Sequence, residues 1–562
     1  MAGMNSAPAI VILGPGSLAT AQRIRQCYPQ AQIHGLQGRV EQADLYYSVF
    51  GDTLRGLYQQ GTPIIALCAA GIVIRTLAPL LDEKGSEPPV LVVAEDGSAV
   101  VPLLGGLGGV NLMARDIAQA LGVAAAITTS GELRFGTCLL NPPEGYALAD
   151  IEQGKRFVSD LLAGESVRVE GSAPWLDQAQ LPASEQALRT IHVGSALRPA
   201  SRDELLIHAR CVVVALPGAA TGLAQQVRDS LRAAGIAEAA LACLLASEDD
   251  MAEPALHEAA QALNVPLRFA APAATAQQLL AAALPGARIE SAAGLALAVA
   301  EAPVAVQQLG RPRGRLAVIG LGPGAAELMV PAVKAELARA QDILGYETYV
   351  RMAGPFRDDQ VQHCTDNREE MQRARHAFEL AAQGRSVVVV SSGDPGVFAM
   401  AAAVLEALHA SSDPAWQRVD LEILPGVSAS LATAAQAGAP LGHDFCVMSL
   451  SDNLKPWSII EKRLDLAAQA DLVLAFYNPI SKSRPHQLGV ALDIVRRHRD
   501  GQTPVVLGRD IGRPGQTLKV VSLAELQPQM VDMRTMVLVG SSTTCRFDRA
   551  DGREWVYTPR WY

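Results

Sequence analysis

Leu316-Ala-Val-Ile-Gly-Leu-Gly-Pro-Gly324 decides how the carboxy-terminal half folds. An apolar, β-branched run ends in glycines and a proline, the pattern of a strand delivering a tight turn at a sheet edge. Four more blocks follow in order: Ser391-Ser-Gly-Asp-Pro-Gly396, Ile423-Leu-Pro-Gly-Val-Ser-Ala429, Phe476-Tyr-Asn-Pro479 and Tyr557-Thr-Pro-Arg560. Each sets Gly, Pro or a small polar residue directly after an apolar run. One such turn means little. Five in series predict loops gathered at strand ends, where open α/β sheets form their ligand crevices.

Outward from this block, strand-like runs alternate with Ala/Leu/Glu/Arg helical stretches almost throughout. The fold class expected is α/β and multidomain. A strand over 9–13 ends in Gly14-Pro15-Gly16, an echo of the later Gly-Pro-Gly. Another over 63–68 precedes a helix through 80. The runs 90–94 and 99–104 flank Asp96-Gly97 and predict a hairpin. Gly105-Gly106-Leu107-Gly108-Gly109 leads into a helix over 111–121. Residues 130–205 carry polar loops with Pro174, Pro182 and Pro199 and are expected to be irregular. A new unit starts at 211–218, with helices over 221–234 and 252–263 and a strand over 241–246. The basic Gly310-Arg-Pro-Arg-Gly-Arg315 reads as a junction. The expected domains are 1–130, 131–205 and 206–308, a linker at 309–315, then 316–440 and 441–562.

At 562 residues the chain exceeds one ordinary core. Apolar residues at 49% and charged residues at 19% fit a soluble globular class. A net charge of −10 argues against a non-specific nucleic-acid binder. Eight cysteines stand singly at 27, 68, 138, 211, 243, 364, 446 and 545, with no CxxC pair. No metal site is expected, and buried thiols in a reducing compartment are. The amino terminus has no charged n-region, and no run of about 18 apolar residues occurs, so neither a signal peptide nor a membrane span is expected. The expected location is the cytoplasm.

Gly320-Leu-Gly-Pro-Gly324 fails the GxGxxG spacing. Pro323 also removes an N–H that a phosphate cradle would use. The loop suits a ligand without phosphate, such as S-adenosyl-L-methionine, and by itself it suits a plain β-to-α turn equally well. Asp394, after the run 386–390, either faces a ligand crevice or caps its own turn. Ser428 is a helix N-cap, a ligand contact, or both.

Taken together, the blocks resemble the tetrapyrrole (corrin/porphyrin) methyltransferase family over essentially all of 315–562. Gly345-Tyr-Glu-Thr-Tyr349, Ser449-Leu-Ser-Asp-Asn-Leu-Lys-Pro-Trp457, Phe476-Tyr-Asn-Pro-Ile-Ser-Lys-Ser-Arg484 and Tyr557-Thr-Pro-Arg560 are similar to the precorrin-3B C(17)-methyltransferases, ring-contracting enzymes of cobalamin biosynthesis. Trp561 and Ser541 depart from the usual Gly and Asn. The resemblance implies a two-lobed methylase fold with S-adenosyl-L-methionine between the lobes, which would meet near Ala439-Pro440-Leu441-Gly442. It implies cofactor contacts at Pro323, Ser392, Gly393, Asp394, Val397, Ser428, Ala429, Tyr477, Asn478 and Val505. Glu347 is the candidate base, and Asp394 a second catalytic candidate. Lys455, Lys482, Arg484, Arg509 and Arg513 are candidate partners for the carboxylates of a precorrin substrate, with solvated surface charge as the competing account. His443-Asp444 is an acid–base pair or a structural hydrogen bond. A homodimer is implied, with no nucleic-acid or membrane partner.

Residues 69–130 resemble the amino-terminal part of the cobalt-precorrin-5A hydrolases, through Ala70-Gly-Ile-Val-Ile-Arg75, Ala78-Pro-Leu-Leu81 with Lys84, Gly108-Gly109 with Asn111, and Ile127-Thr-Thr129. Residues 210–305 resemble their carboxy-terminal domain more loosely. The fold expected before the methylase half is therefore a set of smaller α/β hydrolase-like domains. Where that family carries Ser-Gly-His, this chain has Gly105-Gly106-Leu107, and Leu216-Pro217-Gly218 replaces a Gly-Cys-Arg turn. Losing the imidazole removes an acid–base group. A module that kept its fold and lost its chemistry is favoured over a working lactone hydrolase. Arg75 beside Gly71 holds a carboxylate or a salt bridge. Methylation at another corrin carbon, on ribosomal RNA or on diphthine, and a non-catalytic tetrapyrrole carrier, are the alternatives.

Overall fold

The computed structural model describes residues 7–81, 87–199, 201–218, 220–357, 359–366, 369–481 and 483–561. Lys84 and Lys482 lie outside them. The chain divides into two units, 1–313 with 357–359, and 314–356 with 360–562.

Among its described residues the first unit holds three sheets. In the first the order is Leu45–Tyr47, Gln32–Leu36, Ala9–Ile12, Ile64–Leu67, Val90–Val93, Val100–Leu104. The first five run parallel, and the last returns antiparallel through the expected Asp96-Gly97 turn, where Gly97 has φ +76°. Met113, Ala114 and Ile117 of the helix Val110–Leu121 pack onto it. A third sheet orders Leu267–Ala270, Leu241–Ser247, Val212–Ala215, Leu295–Val299 and Arg288–Ala292.

The middle of this unit corrects the sequence reading. Tyr146–Leu148, Glu204–Ala209, Arg189–Gly194 and Val167–Glu170 form a four-stranded sheet where irregular chain was expected. Pro174 breaks nothing, since it starts the short helix Pro174–Asp177 at a position where no N–H is needed. Arg189 disguised its strand. It is buried and pairs with Asp160, Glu165 and Asp203, so a charge stands where the pattern calls for an apolar residue.

The second unit opens with an all-parallel sheet, ordered Val361–Thr365, Asp342–Tyr346, Ser386–Ser391, Arg315–Gly320, Asp420–Leu424. Side chains alternate between its faces. Ala317, Ile319, Val388 and Val390 meet Val333 and Val350 of the helices Pro331–Arg339 and Glu347–Ala353. Leu316, Val318, Val387 and Val389 meet Phe378 and Val404 of Glu370–Ala382 and Met400–Ala410. Burial on both faces is why these strands read as unbroken apolar runs. The strand after Arg315–Gly320 lies to one side of it and Asp420–Leu424 to the other, so strand order reverses at the Gly320 loop.

A second, mixed sheet orders Phe445–Ser449, Val473–Tyr477, Thr535–Val539, Pro504–Arg509 and Thr517–Ser522. A small third sheet joins Gly438–Ala439, Glu554–Tyr557 and Cys545–Asp548. The Tyr557-Thr-Pro-Arg560 block belongs to this junction. Thr558 is buried, and its hydroxyl donates to Pro440 O at 2.6 Å. Among the described residues no helix is long and apolar enough to cross a membrane.

Candidate cofactor site

Three strand ends converge because Gly320 and Gly426 leave room for Gly393. A Cβ on Gly320 would sit 2.3 Å from Gly393 O and 3.0 Å from Gly426 Cα. A Cβ on Gly426 would sit 2.1 Å from Gly393 O and 2.6 Å from Gly320 O. Any side chain at either place would force the loops after Arg315–Gly320, Ser386–Ser391 and Asp420–Leu424 apart. Two backbone bonds stitch the first pair, Gly393 N donating to Gly322 O at 2.7 Å and Gly322 N to Gly393 O at 3.1 Å. Asp394 stitches the second. Its carboxylate accepts Gly396 N at 2.8 Å and Gly426 N at 3.0 Å. Both oxygens are thus engaged by backbone, which makes Asp394 a loop-holding residue. Each oxygen accepts one N–H and keeps a further lone pair.

The third loop runs into the helix Ala429–Ala437. Ser428 caps it, accepting Leu431 N at 3.4 Å. Ser430 N donates to the Tyr477 hydroxyl at 3.1 Å, so the end of Val473–Tyr477 satisfies another orphan donor of the same helix. Pro323, Ser392, Gly393, Asp394, Val397, Ser428, Ala429 and Tyr477 therefore share one connected cluster of loops. Val397 N donates to Asp394 O at 3.2 Å. Phe398, with φ +53°, faces the Tyr477 ring at 5.5 Å between centroids, and the Lys455 ammonium lies 5.8 Å from the centre of the Phe398 ring. Burial, and then the nearby Arg463, push the Lys455 ammonium below its ordinary range.

Arg513 closes the cluster from the second sheet's side. Its Nε donates to Pro323 O at 2.9 Å and its Nη2 to Ser392 Oγ at 3.2 Å. Its stem lies over Gly324, where a Cβ would be 2.6 Å from Arg513 Cγ.

Other candidates have different partners. Val505 is fully buried inside the second sheet. Register pairs it with Val539 and so with Leu474, whereas Tyr477 lies level with Gly508. That offset is about 10 Å along the strand. Asn478 has φ +49°, and its amide donates to Ser449 Oγ at 3.0 Å. Arg484 is buried, and its guanidinium donates to Leu450 O at 3.1 Å and Asn478 O at 3.0 Å. Arg509 is held by Asp532 at 2.8 Å and Asp510 at 3.0 Å. Arg484 is thus committed to backbone carbonyls, while Arg509 spends Nε and Nη1 on the two aspartates. Glu347 is exposed, 2.8 Å from Arg351, on the rim of an open pocket that includes Phe356, Gln362 and Cys364. His443 Nδ1 accepts the N–H of Asp444 at 2.8 Å, a local structural bond.

In the first unit, the glycine block hides a feature that sequence reading missed. Asn111 donates to Thr129 Oγ1 at 2.9 Å and to Glu132 Oε1 at 2.6 Å, and Arg115 pairs with Glu132 Oε2 at 2.7 Å. Glu132 is only 4% exposed. Burial, and then the Glu132 charge, push the adjacent Cys138 thiol up to about 11. An isolated Glu after a Ser-Gly pair carries no sequence signal of burial.

Residues 315–527 match the family described as Tetrapyrrole (Corrin/Porphyrin) Methylases, and residues 52–132 match that described as Cobalamin synthesis G N-terminal. The chain is 50% identical over 250 residues to the precorrin-3B C(17)-methyltransferase of Sinorhizobium sp, covering 44% of this chain and 97% of that protein. It is 48% identical over 253 residues to the cobalamin biosynthesis protein CobIJ of Mycobacterium bovis, covering 44% of this chain and 48% of that one. It thus spans about half the length of the latter. A crystal structure of the methyltransferase CobJ aligns at 53% identity, over 44% of this chain and 100% of that one, with a TM-score of 0.42. With half of the 250 aligned residues identical across nearly the whole Sinorhizobium enzyme, the chain belongs to the tetrapyrrole (corrin/porphyrin) methylases.

Proposed function

We propose that this chain methylates precorrin-3B at C17, with S-adenosyl-L-methionine as methyl donor, in cobalamin biosynthesis. The observation that carries the reading is the three-glycine convergence, in a half-chain so similar to a precorrin-3B C(17)-methyltransferase. The fit to the donor rests on chemistry. Glycine backbone lines the loops closely, and Pro323 removes one N–H that a phosphate cradle would use, so a nucleoside sulfonium without phosphate suits them. Pro323, Ser392, Gly393, Ser428, Ala429 and Tyr477 would hold it, and Asp394 would keep their loops in place. When bound, the sulfonium supplies an electrophilic methyl group.

What the chain contributes is positioning and exclusion of water. Lys455 has no carboxylate partner among the described residues and suits an acetate or propionate of the macrocycle. Glu347, exposed and 2.8 Å from Arg351, is the base we propose for removing a ring proton. The test is full-length protein with S-adenosyl-L-methionine and precorrin-3B, followed by mass and absorbance. Gain of one methyl group is expected, and none would refute the reading.

For residues 52–132 we propose a supporting role without lactone hydrolysis. No imidazole stands in the 105–109 block, and the nearby Glu132 is spent on Asn111 and Arg115. Incubation with cobalt-precorrin-5A should leave the lactone closed, and ring opening would refute this part alone.

A further inference from the structure

Several partly buried arginines of the second unit end on carboxylates. Arg315 meets Glu336 and Asp420, Arg385 meets Asp342, and Arg509 meets Asp510 and Asp532. Arg513 ends on neutral oxygens alone, the Pro323 carbonyl and the Ser392 hydroxyl. Those bonds use Nε and one hydrogen of Nη2. Both hydrogens of Nη1 and the second of Nη2 have no acceptor among the described residues.

The group is held in place rather than left to wander. Its loop is pinned by Gln516, whose Oε1 accepts Gly512 N at 2.8 Å and Gln436 Nε2 at 3.1 Å, tying it to the helix that Ser428 caps. The stem fills the space that Gly324 leaves by lacking a Cβ. A second guanidinium shares the neighbourhood. Arg373 is 2% exposed and donates to Thr365 Oγ1 and Asp366 O, both at 2.7 Å, again neutral acceptors. The Tyr349 phenol lies in the field of both arginines. Burial raises its pKa, and the Arg513 charge opposes the rise.

A partly desolvated cation with only neutral partners is costly until an anion joins it. The unspent Nη1 and Nη2 edge is the planar fork that takes a carboxylate with two parallel bonds. We propose that Arg513 is a carboxylate receptor in the methylase cleft, set directly beside the Pro323 and Ser392 loops. The carboxylate comes from the amino-acid end of the methyl donor or from an acetate or propionate arm of the acceptor. This inference rests on the methyl-donor reading above.

The test uses full-length protein, calorimetry and two ligands: S-adenosylhomocysteine, and its decarboxylated analogue, which keeps the ammonium and lacks only the carboxylate. If the donor's carboxylate is bound, Arg513→Gln weakens S-adenosylhomocysteine about 10- to 100-fold and the analogue less than about threefold. If the acceptor's carboxylate is bound, both ligands bind as in wild type, while KM for precorrin-3B rises about tenfold or more with kcat nearly unchanged. In either case Arg513→Lys recovers part of the loss by restoring charge. Equal weakening of both ligands marks a purely structural role and overturns the inference. No change in any readout overturns it too. Wild-type protein that binds neither ligand overturns the methyl-donor reading, and the inference with it.

Discussion

Gly426→Ala is the sharpest perturbation of the cofactor loops. The new Cβ would lie 2.1 Å from Gly393 O and 2.6 Å from Gly320 O. A carbon–oxygen contact needs roughly 3.3 Å, so one loop must retreat by about 1 Å. Both obstacles are backbone, and no side chain can swing aside. The retreat strains three bonds: the Gly322–Gly393 pair at 2.7 and 3.1 Å, and Gly426 N to Asp394 at 3.0 Å. Neutral bonds contribute about 1 kcal/mol each and the carboxylate bond about 2, so the loss is roughly 3–4 kcal/mol, concentrated at these loops. Gly393→Ala is the control. Its φ of +71° costs a side chain about 1–2 kcal/mol, but its nearest atom is 3.6 Å away. Calorimetry with S-adenosylhomocysteine should show binding lost or weakened at least 100-fold in Gly426→Ala, and weakened about tenfold in Gly393→Ala. Denaturant melts should rank them in the same order. Wild-type binding by Gly426→Ala, or a larger loss in Gly393→Ala, would refute the idea that close backbone approach builds the site.

Asp394→Asn leaves an amide facing one of the two N–H groups, which should cost about 2 kcal/mol and raise hydrogen exchange at 393–397 and 425–428 while the sheet core stays protected. Arg484→Ala strips donors from Leu450 O and Asn478 O and should lower stability by about 3 kcal/mol in urea melts, whereas Lys455→Ala should change it by less than about 0.5 and act on KM for the acceptor. Burial lowers the His34 pKa to about 4. The unfolded chain takes up that proton near 6.5 and the folded one only near 4, so this contribution is complete above 6.5 and lost as pH falls toward 4. Between pH 7 and pH 5 the first unit should lose about 2 kcal/mol, and His34→Gln should remove that difference.

Much of the architecture is local and therefore legible along the chain. Apolar runs buried on both faces announce the parallel strands. Asp96-Gly97 announces its hairpin, and glycine with proline marks each strand end. The four-stranded sheet at 146–209 was not legible, because Arg189 is compensated by Asp160, Glu165 and Asp203 from elsewhere in the chain. Pairing of that kind has no fixed spacing.

At the site the same division holds. Sequence alone determined the α/β class, the loop blocks and their likeness to the methylases, because glycine and proline act on their own backbone. It also named the cations without ranking them. Arg484, Arg509 and Arg513 are one residue type in similar motifs. Only tertiary structure decided that Arg484 serves two carbonyls, that Arg509 is neutralised by two aspartates, and that Arg513 keeps an open edge beside Pro323 and Ser392. Register likewise decided that Gly508, not Val505, stands level with Tyr477. The physical reason is the same in each case: a side chain's chemistry belongs to its residue, but its partners are set by which distant segments the fold packs against it.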